Sequence, residues 1–143
     1  MGTWGIGHFD NDTAADFGGK LDDSDPEKRA ALIGQALEAA VHAGAEGFLD
    51  SDEAMEAVAA AALLAAHCPG GEPVDTPYGP DEPVPLPGGA PSSVLLGLAV
   101  RALDQVTAET SELRELWGES AEPVEWLAGI GRLRAVLAAG APV

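Results

Sequence analysis

The chain has 143 residues, with 24 acids against 7 lysines and arginines and a formal charge of −17. That length suits one domain built on one hydrophobic core. The charge excludes the basic face that nucleic-acid phosphates or anionic lipids need, and it favours solubility and a basic or metal-bearing partner.

Residues 1–11 keep neither a helical nor a strand period. Gly2, Gly5 and Gly7 alternate with Thr3, Ile6 and His8, so the segment reads as an ordered but irregular lead-in. A first helix is predicted over about 12–21, with Asn11 or Asp12 as its N-cap, shortened or frayed by Gly18-Gly19. Asp25 caps the second helix, Pro26 takes its first position and Glu27 complements its dipole. Ile33, Leu37 and Val41 form its apolar stripe, and Gly44 is its expected stop.

The third helix is announced by Asp50 and Glu53, spaced as a capping box with Leu49 as staple, and it ends near His67. Val58, Ala62 and Ala65, with Met55 and Leu63, make its inner side. Residues 68–91 hold eight prolines and five glycines, which predicts a long, extended acidic loop with Tyr78 near its middle. A fourth helix starts near Ser92-Ser93, with a stripe of Leu95, Leu98, Ala99, Ala102 and Val106. It is apolar nearly all round and is therefore expected at the centre. Ser111 caps a short fifth helix that turns Leu113, Leu116 and Trp117 inward. Pro123 opens a sixth, on which Trp126, Ile130, Leu133 and Leu137 form the cleanest helical stripe in the chain. No stretch reads as a strand. The expectation is an all-α, single-domain bundle of five to six helices spanning 1–143, with the lead-in and the Pro/Gly-rich loop attached.

The single cysteine, Cys68, allows no internal disulfide and fits a cytoplasmic protein. The N-terminus lacks the pattern of a signal peptide, and Ile6 stands where an acylation motif wants Ser or Thr. The longest apolar run, 57–66, is too short to span a bilayer.

Trp4, Gly5, Gly7, Phe9, Asn11, Asp12, Ala14 and Asp16 together resemble the opening signature of a bacterial family, domain of unknown function 4259. The likeness continues through FLDSDEAMEAVAAAALLAA and SELRELWGES to Trp126, and so covers nearly the whole chain. The resemblance implies an acid that relatives often carry where this chain has Ala62. The resemblance implies a mainly helical fold and assigns no activity.

Three constellations bear on function. His8, Asp10, Asp12 and Asp16 are oxygen- and nitrogen-bearing side chains close in sequence, but from Asp10 the spacing fails the calcium-loop template at Ala14 and Ala15. Capping by Asn11 or Asp12, with Asp10 favouring the positive helix end and Trp4 and Phe9 filling gaps between helices, explains the opening better. Asp52 and Glu56 share a helix face without a basic partner, a geometry more often solvated than catalytic. Glu112, Glu115 and Glu119 beside Trp117, with Tyr78, Asp81 and Glu82 in the loop, form an acidic surface suited to a basic partner protein. The expected function is a non-catalytic protein-binding module of immunity or antitoxin type, without cofactor. A divalent-metal protein using the opening acids and a structural homo-oligomer are the alternatives.

Overall fold

Helix α1 (Asp12–Asp22) starts where the Asn11 side chain accepts the Ala14 N–H at 2.7 Å, satisfying one of the free donors of the first turn. The computed structural model describes residues 7–74, 79–80, 86, 91–120 and 123–140. Gly18-Gly19 does not fray α1, because Gly18 and its neighbours Phe17 and Leu21 are buried and tertiary packing outweighs propensity. Arg29 closes the following turn: it is buried, and its guanidinium donates to the Asp22 and Ser24 carbonyls, both at 3.3 Å. A buried cation is tolerated there because two carbonyl oxygens receive it.

Helix α2 (Pro26–Ala45) has Asp25 at its N-cap position, but the Asp25 side chain makes no capping bond and instead faces Lys28 at 3.8 Å. The helix runs past Gly44. The chain turns at Gly47, whose φ of 104° is open to glycine and strained for other residues. Helix α3 (Ser51–Ala65) is capped by Asp50, which accepts the Glu53 N–H at 2.8 Å. Helix α4 (Ser93–Val106) is capped by Ser92 and short α5 (Glu112–Gly118) by Ser111, while α6 (Pro123–Gly140) carries Trp126, Ile130, Leu133 and Leu137 into the core. The architecture is all-α: six helices and no strand among the described residues. None of these helices is long and apolar enough to cross a membrane.

The centre of the bundle is α3, not α4. From Ala54 onward every α3 side chain except Glu56 is buried, and α3 packs against each of the other five helices. Alanine makes this possible, since a methyl side chain on every face lets neighbouring backbones approach at the short end of helix–helix distances. Helix α4 covers one side only. It buries Leu96, Ala99, Ala102, Leu103 and Val106, leaves Leu95 and Leu98 half-buried and exposes Val94. Its inner stripe is thus rotated from the expected one, and Asp104 on its outer side ties it to α6 through Arg134 at 2.7 Å.

Two long-range clasps join the start of α3 to the start of α5. Leu49 and Ser111 form an isolated parallel bridge, with the Leu49 N–H donating to Thr110 at 3.1 Å and the Glu112 N–H donating to Leu49 at 2.9 Å. The Ser51 N–H donates to Glu112 Oε1 at 2.7 Å. On the other side of α3, Thr13 Oγ1 of α1 donates to Asp52 Oδ1 at 3.0 Å. The N-terminal turns of α1, α3 and α5 therefore meet at one end of the bundle, and acids cover these partially positive helix ends.

Candidate functional site

Two surfaces are candidate sites: the acidic end just described, and a cleft between the lead-in and α6.

Of the acids on these helices Asp12, Asp16, Asp52 and Glu115 are exposed, and so is Glu119, which stands at the other, C-terminal end of α5. Glu112 is half-buried, and one of its carboxylate oxygens accepts the Ser51 N–H. Burial pushes the Glu53 carboxyl up, helped by Asp50 and Glu56 and opposed by His42. Burial also raises Glu56, with Asp52 and Asp50 adding to the rise and Lys20 opposing it. A carboxyl raised in the fold penalises folding at any pH where it is ionised, and the penalty vanishes below its unfolded pKa, near 4.5. Glu56→Gln is therefore expected to raise the melting temperature at pH 7.5, with the gain over wild type fading as the pH falls to about 4. Paired thermal melts across that range check the sign.

Sequence reasoning missed Phe48. It follows Gly47 in the α2–α3 turn and is 56% exposed, although the backbone around it is pinned by Phe48 N–H to the Ala43 carbonyl and by the Leu49–Ser111 bridge. Its chain neighbours Glu46 and Asp50 are acidic, and the bridge brings Glu112 alongside. The signal available in the sequence was an aromatic directly before a staple leucine; which of the two faces solvent is decided only by the clasp to α5.

The cleft has a volume of about 640 Å³ and is lined by residues 7–10 of the lead-in, the end of α3, residues 70–74 and the outer turns of α6. Phe9, Ala62, Ala65, Leu133 and Val136 give it an apolar floor, and His8, Asp10, Glu72 and Arg132 supply the polar groups. The lead-in is held in shape by a reciprocal turn: the Gly7 N–H donates to Asp10 Oδ2 at 3.0 Å, and the Asp10 N–H donates to the Gly7 carbonyl at 3.1 Å. Asp10 thus braces the lead-in instead of facing the helix end. Gly71 is packed so closely on the Ala65 carbonyl that no side chain fits there, which lays residues 70–74 back over the end of α3. Gly129 opens the α6 wall: a Cβ there would stand 3.7 Å from Arg132 Nη2 and 4.0 Å from His8 Cε1. Burial holds the His8 imidazole below its ordinary value. Glu72 and Asp10 pull it back up, and Arg132 adds to the lowering.

Below the cleft, Trp117 and Trp126 stack with ring centres 5.9 Å apart and planes at 8°. With His8, Asn11 and Met55 they line a small, partly open pocket of about 20 Å³, the space of one water.

Among the described residues no group of three or more His, Cys, Asp or Glu side chains is placed to hold a metal ion. The opening candidates are separated by the fold: Asp12 and Asp16 face solvent on α1, Asp10 turns back onto Gly7, and His8 lines the cleft. Trp4, Gly5, Tyr78, Asp81 and Glu82 lie outside the described residues. Burial raises the Cys68 thiol, whose Sγ donates to the Leu64 carbonyl at 3.6 Å, so it is poorly set up as a nucleophile.

Residues 2–129 match the family described as Domain of unknown function (DUF4259). The chain belongs to this family. No curated protein and no solved structure matches it. In this DUF4259 chain the matched stretch contains both surfaces except the last part of the α6 wall, from Ile130 onward.

Proposed function

We propose that this DUF4259 protein is a non-catalytic protein-binding module that receives a basic partner at the end of the bundle where α1, α3 and α5 begin. One observation carries the reading: Phe48 is held out to solvent on a pinned turn, beside carboxylates. An exposed aromatic on a rigid backbone is the anatomy of an interface hot spot, because little entropy is lost when a partner covers it. The acids around it supply what such an anchor lacks, namely attraction at a distance and selectivity for a cationic surface. Beside Phe48, Glu46 is paired with His42 and one Glu112 oxygen accepts the Ser51 N–H, while the exposed Asp52 and Glu115 at the starts of α3 and α5 form no ion pair with a described residue. The ion pairs among described residues are Lys28–Asp25, His42–Glu46 and Arg134–Asp104, and none involves Asp52, Glu115 or Glu119.

The test is affinity capture from native lysate on immobilised wild type, Phe48→Ala and Glu115→Lys/Glu119→Lys, at low and moderate salt. The expected result is one basic protein retained near equimolar amounts by wild type. Its binding should fall about 30-fold with Phe48→Ala, the scale of losing a hot-spot aromatic. It should also weaken with the charge reversals and with salt. Equal capture by all three proteins, or no stoichiometric capture by wild type, overturns the proposal.

A further inference from the structure

The cleft between the lead-in and α6 is separate from the acidic end and has a chemistry of its own. Its volume of about 640 Å³ lies in the range of small-molecule sites, and its apolar floor with few polar groups is their usual composition. Three charged side chains line it: Arg132 on α6, Glu72 on the segment that follows α3, and Asp10 on the lead-in. Asp10 is occupied by the Gly7 N–H. Arg132 and Glu72 make no ion pair with any described residue. Arg132 has no carboxylate partner among the described residues, so its guanidinium is offered to the cleft as an anion-binding group. Its guanidinium and the His8 imidazole both stand within 4.0 Å of the point that a Gly129 Cβ would occupy, so they approach the same open space beside α6.

We propose that the cleft binds a small zwitterion with an apolar side chain, of the α-amino-acid type: the carboxylate on Arg132, the ammonium on Glu72, and the side chain over Phe9, Ala65 and Leu133. Charge selects this class. A simple anion would meet Glu72 and Asp10 as well as Arg132, inside the field of a strongly acidic molecule. A simple cation would pair with Glu72 but leave the Arg132 guanidinium without a counter-charge. A zwitterion satisfies both free charges and brings no net charge into that field. The neutral state favoured for His8 fits as well, since an imidazole without charge donates one hydrogen bond to the carboxylate and adds no repulsion toward the ammonium.

The probes are phenylalanine and leucine, with 3-phenylpropionate (no ammonium) and phenethylamine (no carboxylate) as half-ligands, titrated into the full chain by calorimetry and thermal shift. Phenylalanine and leucine are expected to bind and to raise the melting temperature. Each half-ligand is expected to bind about tenfold more weakly or worse, the scale of losing one charge-assisted contact. Arg132 is exposed, so Arg132→Gln leaves the fold intact. It should bring phenylalanine down to the affinity of phenethylamine, and Glu72→Gln should bring it down to that of 3-phenylpropionate. Gly129→Leu improves helix propensity while placing a side chain between His8 and Arg132, and it should abolish binding of all probes with no loss of melting temperature in the free protein. Absence of binding by both amino acids, half-ligands that bind as well as phenylalanine, or binding indifferent to Arg132→Gln and Gly129→Leu overturns the proposal.

Discussion

Ala60→Leu is expected to lower the unfolding free energy by about 1–3 kcal/mol, while Val94→Ala on α4 changes it by less than about 0.5 kcal/mol. The two substitutions invert what side-chain size suggests. Ala60 has no exposed surface and sits mid-way along α3, which touches all five other helices. A leucine there has no solvent to turn toward. It must push a neighbouring helix outward, and the close-packed interior resists that at every contact along the helix. Val94 is 78% exposed in the first turn of α4, so trimming it removes little packing and slightly favours the helix. Urea midpoints for both variants check the ordering. A tolerant Ala60 would mean that α3 is loosely held and that α4 organises the core after all.

The location of the centre shows where sequence reading succeeds and where it fails. Capping was legible because it is local: Asn11, Asp50 and Ser111 each accept an N–H three residues on. The α6 stripe was legible because four large apolar residues at helical spacing leave one choice of face. The central role of α3 was not, because alanine carries little hydropathy, and its importance lies in how closely other backbones approach it. Helix α4 looked central through its large aliphatic residues, but size on every side does not mean neighbours on every side. Glu112 read as a surface acid because its partner, the Ser51 N–H, is 61 residues away. The cleft joins segments from the start, the middle and the end of the chain, and no local pattern announces a space between them.

Trp126→Ala is expected to be the costliest single change, about 3–5 kcal/mol, the range for removing a large buried aromatic. Trp126 is buried at the first full turn of α6 and stacks on the buried Trp117 of α5. The pair is the join between α5, α6 and the lead-in, since both rings also wall the small pocket against His8 and Asn11. Deleting the ring therefore removes more than its own contacts. Trp117 loses its stacking face, the His8 side of the cleft loses its support, and the Asn11 cap of α1 borders an enlarged cavity. Parallel stacking of two indoles also gives a coupled signal in the ultraviolet circular dichroism spectrum, which should vanish in Trp126→Ala. Trp126→Phe restores an aromatic surface and should recover most of the stability without that signal. If the alanine variant were near wild type in urea yet had lost the spectroscopic coupling, the stack would be incidental to the fold. A large loss of stability together with weaker binding of phenylalanine at the cleft would place the tryptophan pair beneath both, as the support that holds His8 against α6.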